Sequence, residues 1–450
     1  MTGARMGRLC NSAVALAALL LLSGCSGTST RTPARSAPTG PSREVLTNGL
    51  RVIIQQHQAS DVVALHLWVG VGGRDEAPAE RGFSHFAEHM LFKGTERRAP
   101  GFVDREIESV GGRTNAGTSW DYTFYYILLP ASQTVKGIEI LSDMVFNSAF
   151  DERELSRERE VVFEEIRLGE DNPRSYLGRR LYELTFRGQA YGYPVLGDPD
   201  MLRASSRETL RGYYSRHYVP DNMTLVVVGA VRPEEVRAAV ARTFAAPPAL
   251  GYRRATPPSP RPLDESYREV RPRPERQSSI GLAWLAPRLG DRDMFATDLL
   301  AHILGGSQSS RLNQILRERL RLVTSVRASY SALQGAGVLS VTALCEPDDV
   351  EKVEGTVLAQ VKRIQDEGVS HAERDRAVTA AESQHAFAIE TAEGRAYAYG
   401  FAETLWTLEG ELRYLEGIRA VTPEQIREAA RRYLSAANAR LVLSPRDRVR

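Results

Sequence analysis

The chain has 450 residues, 42% of apolar type and 25% charged, and a formal net charge of +2. A length of this order suggests two or three domains, and the ordinary apolar and charged fractions describe a globular protein with ample core. Near-neutral charge, without a basic stripe interleaved with aromatics, gives no electrostatic case for nucleic acid as a partner.

The amino terminus differs in kind from the rest. Arg5 and Arg8 precede an apolar run over residues 13–22, which ends in Ser23-Gly24-Cys25. The run is too short to span a bilayer comfortably, and residues 1–24 read as an export signal. Residues 25–44 are rich in Ser, Thr, Pro and Gly with almost nothing to bury, which predicts a flexible tether.

The body opens with strands predicted over 51–55 and 62–71, followed by a helix over 85–92. His85 and His89 are four apart in that helix, so both imidazoles leave one face a turn apart, a spacing that suits one zinc ion. Glu88 lies close to the same face without being a ligand and is the candidate general base for a metal-activated water. The order His-x-x-Glu-His is the inverzincin arrangement. The chain has only 8 histidines, and Phe83, Phe86, Met90, Leu91 and Phe92 surround the trio at helical spacing, which sets it against a core. Polar groups so placed need partners, and a metal satisfies two imidazoles at once.

Next come a strand over 122–129 and helices over 133–148 and 152–169. A catalytic zinc needs a third protein ligand and an open position. The acidic helix offers Glu158 and Glu165 on one stripe and Glu160 and Glu164 on another, and periodicity does not choose between them. A last helix leads to a strand ending at 225–228.

The chain then repeats itself. Residues 202–211 match 418–427 without a gap, and the match continues through Arg216 with Arg432, Asn222 with Asn438, and Leu225-Val226 with Leu441-Val442. At nearly the same offset His89 falls on His302 and Glu158-Arg159 on Glu373-Arg374. Two related domains are expected, over 45–246 and 275–450, joined by a Pro/Arg-rich linker over 247–274. The second has strands over 278–285, 338–344 and 441–443 and helices over 294–304 and 350–367. Strands and helices mix without a strict βαβ repeat, so the fold class is α+β: two duplicated domains, each a mostly antiparallel mixed sheet packed with helices. Under the offset His85 faces Asp298 and Glu88 faces Ala301, so the second copy cannot build the trio, and His302 reads as structural. Cys345, at the end of an apolar strand-like run, reads as a buried structural thiol.

Two resemblances add to this. Leu22-Ser23-Gly24-Cys25 resembles the lipobox of bacterial lipoproteins, which implies that Cys25 is lipidated and that the protein is exported and membrane-anchored at the cell envelope or in the periplasm. His85-Phe86-Ala87-Glu88-His89, followed downstream by Glu158-Arg159-Glu160-Val161-Val162-Phe163-Glu164-Glu165, resembles the pitrilysin/insulinase family of zinc peptidases, in particular its two-domain branch near the mitochondrial processing peptidases. The likeness includes Gly70-Val71-Gly72-Gly73-Arg74-Asp75-Glu76 and Glu170-Asp171-Asn172-Pro173.

That resemblance implies Glu165 as the third zinc ligand and Glu158 as a glutamate supporting the site. It implies that Asn115 and Ala116 belong to an edge strand that pairs with the substrate backbone, and that Arg317 reaches over the substrate. The tyrosine expected seven residues after Arg317 is Thr324. The implied function is a zinc metalloendopeptidase acting on extended or unfolded peptides. The alternative is a non-catalytic or partner-dependent peptide-binding subunit of the same fold, whose signature would be a broken motif; here the motif is whole. Larger members enclose substrate between two two-domain halves, so a homodimer, or a heterodimer with a related chain, is expected. Nucleotide chemistry finds no phosphate loop.

Overall fold

The computed structural model describes residues 40–257 and 259–446. The first sheet contains β1 (Ser42–Val45), β2 (Arg51–Gln56), β3 (Val62–Val69), β4 (Arg113–Thr118), β5 (Thr123–Pro130) and β6 (Met223–Gly229), in spatial order β1-β2-β6-β3-β5-β4. The second contains β7 (Tyr267–Arg273), β8 (Ser278–Ala286), β9 (Val323–Ala332), β10 (Gly337–Cys345) and β11 (Ala439–Pro445), in order β7-β11-β8-β10-β9. Only β2 with β6 and β7 with β11 pair in parallel; the other neighbours are antiparallel. Without β1 the two orders correspond strand for strand. The repeat in the sequence is a repeat in topology, and the α+β class holds.

Two expected boundaries move. Strand β7 lies inside the segment 247–274 that was expected to be a linker, and it occupies the place in its sheet that β2 occupies in the first. Only Glu269 of its seven residues is buried, so no apolar alternation marks it. Its Pro272 lacks an amide hydrogen, which an edge strand tolerates. At the other end, β1 takes up the close of the 25–44 tether, pairing Ser42 with Ile54 through Val45 with Arg51. Cys25 and the export signal lie outside the described residues.

Each sheet is covered on both faces, which is why β6 is buried along its whole length and reads as one continuous apolar run. In the first sheet Leu65, Leu67 and Val69 belong to a core shared with that half's own helices. Ala64 and Trp68 point the other way, into a cluster with Ala396 and Tyr399 of the Ala392–Leu405 helix, which comes from the second half. The favour is returned: Leu177, Leu181 and Leu184 of the Pro173–Thr185 helix cluster with Ala283, Val338, Leu441 and Leu443 of the second sheet. The halves are two by topology and one by packing, and the described residues form one compact unit.

Glycine makes both contacts possible. A Cβ on Gly400 would overlap the indole nitrogen of Trp68, and one on Gly281 would overlap a Leu181 methyl. Gly400→Leu is therefore expected to destabilise the protein by about 1–3 kcal/mol or more through overpacking. Gly355→Ala, at an exposed helical glycine with open space around it, should stabilise by about 0.4–1 kcal/mol. Thermal unfolding of the two variants checks the pair, and an unchanged midpoint for Gly400→Leu would refute the exchanged contact.

Candidate metal centre

The Phe83–Leu91 helix has nine residues, and Phe83, Phe86, Ala87, Met90 and Leu91 anchor it in the first core. That anchoring sets its rotation and leaves His85, Glu88 and His89 to meet the Glu152–Asp171 helix and β4. Entry into the helix is built with equal care. Gly82 has φ 96°, and a Cβ there would lie 2.8 Å from Gly197 Cα, so the turn requires glycine. The Glu76 carboxyl accepts the backbone N–H of Gly82 at 2.8 Å and of Ser84 at 2.7 Å, satisfying donors left open at the helix start. Burial nevertheless pushes Glu76 up to about 8.

The two helices cross antiparallel. His89 Nδ1 lies 3.1 Å from Glu158 Oε2, and one turn back along the first helix His85 Nε2 lies 3.5 Å from Glu165 Oε2. His89 Nε2 is 3.7 Å from the same Glu165 oxygen, and one donor atom from each of His85, His89 and Glu165 falls within 4.8 Å of the others. Adjacent ligand atoms of a tetrahedral zinc with bonds of about 2.0–2.2 Å stand about 3.3–3.6 Å apart, so the donor set fits that ion. His85 strengthens the fit. Burial pushes its pKa down to about 3, which keeps the imidazole neutral with a lone pair to give at Nε2, the nitrogen that faces Glu165.

The second layer is also in place. Burial works against a charged His89, but its hydrogen bond to Glu158 and the carboxylates of Glu165 and Glu88 outweigh it and raise its pKa; the proton drawn to this corner is what a divalent cation would replace. Glu158 is buried, yet hydrogen bonds from His89 and from Lys93, whose Nζ is 2.9 Å from Oε1, hold its carboxyl below the usual range. Glu164 and Glu160 face solvent, and Glu164 pairs with Arg167. The stripe that faces the histidines is the Glu158–Glu165 one.

Glu88 is held from the sheet side: the Thr118 hydroxyl donates to its Oε2 at 2.5 Å. Burial raises its pKa, with Thr118 and His89 opposing. Thr118 ends β4, the outer strand of the first sheet, which also carries Asn115 and Ala116. Asn115 is exposed, and its Oδ1 accepts the Ala116 N–H at 2.9 Å. Arg317 stands apart. It is exposed in the second half with Glu318 as its ion-pair neighbour at 3.9 Å, and it makes no hydrogen bond or ion pair with the trio. Thr324 is exposed on β9. Sequence reasoning missed Glu76, Lys93 and Thr118. Only Glu76 left a signal, at the end of a glycine-rich segment six residues before Gly82.

The twice-repeated sheet is a fold shared with solved structures. A protease from Helicobacter pylori superposes with a TM-score of 0.84 at 23% identity, covering 91% of this chain and 100% of that one. A Pseudomonas fluorescens structure described as a peptidase M16 inactive domain gives 0.82 at 18% identity, covering 90% and 98%. The family description "Insulinase (Peptidase family M16)" matches residues 51–199, which hold the trio and Glu165, and "Peptidase M16 inactive domain" matches residues 205–381, which hold none of them. Among relatives, the uncharacterized zinc protease YmxG of Bacillus subtilis is 28% identical over 90% of this chain and 98% of its own length. An uncharacterized zinc protease of Mycobacterium tuberculosis is 31% identical over 92% and 96%. The chain belongs to the M16, or insulinase, family of peptidases.

Zinc affinity separates the roles of the acidic residues. Glu165→Gln should cost the most, Glu158→Gln about 10–100-fold, and Glu164→Gln nothing measurable. Competition against a chelating dye checks the order; a loss on Glu164→Gln equal to that on Glu165→Gln would reassign the third ligand.

Proposed function

We propose that the protein is a zinc metalloendopeptidase that hydrolyses extended or unfolded peptides. His85, His89 and Glu165 would hold the metal, with Glu88 as general base. The observation that carries this reading is the convergence of those three donors within 4.8 Å, beside a Glu88 tethered to the outer strand of the sheet. When bound, zinc supplies Lewis-acid polarisation of the scissile carbonyl and of the attacking water.

The chain's own groups supply the rest. Glu88 takes the proton from the water and delivers it to the leaving amine, and a pKa raised by burial brings it nearer the working pH of such a base. Thr118 occupies Glu88 Oε2, leaving the other oxygen free for proton transfer. Glu158 fixes the orientation of the His89 ring through Nδ1. An unpaired edge at β4 receives the peptide as an added strand, which requires substrate with exposed backbone; Asn115 and Ala116 lie where that strand would pair. A non-catalytic subunit is not favoured, because the inactive-domain match lies outside the trio.

The base is tested by Glu88→Gln. Zinc content should be unchanged and peptide hydrolysis should fall by at least about 10²-fold, as removal of a positioned general base requires. Chelation should abolish wild-type turnover and added zinc restore it; turnover that persists in Glu88→Gln would remove the residue from this role.

Membrane attachment through Cys25 and pairing of chains complete the proposal. No helix among the described residues is long and apolar enough to cross a membrane, and the lipobox-like Leu22-Ser23-Gly24-Cys25 supports a lipid anchor. Cys25→Ala should release the protein from membranes or block its processing. Light scattering of that soluble form should report a dimer, with specific activity falling on dilution. A variant that is processed normally and stays in the membrane pellet refutes the anchor, and a fully active monomer refutes the pairing.

A further inference from the structure

The motif helix is supported at two points outside its own packing, by the Glu76 carboxyl at its start and by the Thr118 hydroxyl on Glu88. Both supports lead into one polar knot. Glu76 follows Asp75, and Thr118 ends β4 just before the turn 119–122 that leads to β5. Those two turns are tied through the backbone: the Gly73 N–H donates to the Ser119 carbonyl and the Arg74 N–H to the Trp120 carbonyl, each at 3.0 Å.

Side chains close the knot, and two of them come from outside the first half. Asp121 is buried. Its Oδ1 lies 2.9 Å from Arg74 Nε and accepts the Tyr191 hydroxyl at 2.8 Å, and its Oδ2 accepts the backbone N–H of Gln334 at 2.8 Å. Gln334 belongs to the turn between β9 and β10, in the second half. Its Oε1 accepts Arg74 Nη2 at 2.7 Å and Arg254 Nη1 at 3.2 Å. Arg254 lies in the segment that joins the halves, and its Nη2 donates at 2.6 Å both to Asp75 Oδ2 and to the Asp121 carbonyl. Two carboxylates thus face two guanidiniums largely out of water, an arrangement that is stable only while every partner is in place. A guanidinium forks to several acceptors in fixed directions, so Arg254 sets the distance between the turns as well as neutralising them.

We propose that Arg254 and Gln334 are positioning residues for Glu88: through this knot, the seating of the second half against the first fixes the start of the motif helix and the Thr118 tether. The role of Glu88 itself rests on the peptidase reading. Among the described residues, neither Arg254 nor Gln334 makes a hydrogen bond or ion pair with His85, His89 or Glu165. Those donors are held by the first core and by Glu158. Loosening the knot therefore displaces the base before it disturbs the metal.

The test compares Gln334→Ala and Arg254→Lys with Arg180→Met, which breaks a different contact between the halves, the hydrogen bonds of Arg180 to Glu269 at 3.0 and 2.8 Å. Hydrogen exchange of the zinc-loaded chains, read by mass spectrometry, reports the helix start independently of turnover. Residues 78–88 should exchange about tenfold faster in Gln334→Ala and in Arg254→Lys, with β3 and β6 unchanged, and at the wild-type rate in Arg180→Met. In peptide hydrolysis kcat should fall about tenfold in both knot variants, with KM and zinc affinity within about twofold, while Arg180→Met turns over normally. The double variant should be no more impaired than the worse single one, because both act through one knot. Arg254→Lys keeps the charge that faces Asp75, so wild-type behaviour of that variant would reduce the knot to neutralisation and overturn the positioning role. Unchanged exchange at 78–88, or acceleration that spreads equally over β3 and β6 or appears in Arg180→Met, overturns it as well. A wild-type chain that never cleaves, with exchange altered as expected, overturns the peptidase reading and leaves the coupling of the second half to the motif helix standing.

Discussion

The antiparallel crossing of the Phe83–Leu91 and Glu152–Asp171 helices governs the site, because neither helix could present its ligands alone. A helix of nine residues is marginal in water, and this one is held by its apolar side and by its ends. Apolar packing sets its rotation, and the Glu76 carboxyl and the left-handed Gly82 set its start. Sliding along the crossing is opposed by the polar chain Lys93–Glu158–His89. A buried carboxylate is costly without partners, so a slip of one turn would strand Glu158. Geometry at the metal donors is thus secured by interactions outside the donor set.

The second half shows what the same scaffold does without the trio. Asp298, at the position of His85, takes a hydrogen bond from Tyr414, and burial raises its pKa. Glu373, at the position of Glu158, receives Arg311 through both oxygens, at 2.6 and 3.0 Å. Despite burial, that pairing and the Ser370 contacts hold the Glu373 carboxyl down to about 2. A permanently charged guanidinium has settled against the glutamate that, in the other copy, supports His89. His302 keeps a structural place, packed against Gly306.

Much of this was legible in the sequence. The His85–Glu88–His89 spacing, the strands with continuous or alternating apolar residues, and the repeat all rest on periodicities that packing obeys. What was not legible depended on partners distant in the chain. Glu158 and Glu165 could not be told from Glu160 and Glu164 until the helix met the histidines, since both stripes satisfy the same period. Thr118 gains its meaning only because β4 passes beside Glu88. Strand β7 hid behind Pro272 and its arginines because an outer strand that buries one side chain has no apolar rhythm to display.

The exchanged helices bind the fates of the two halves. Ala396, Tyr399 and Gly400 sit in the copy without the trio, yet the surface they shape is the underside of β3 and β6, the sheet on whose other face the motif helix rests. Selection that has no trio to preserve in the second half still has a sheet to preserve in the first. Drift in the second copy is therefore bounded by its neighbour's core, and a change at its covering helix is inherited by the motif-bearing copy as a change in its foundation.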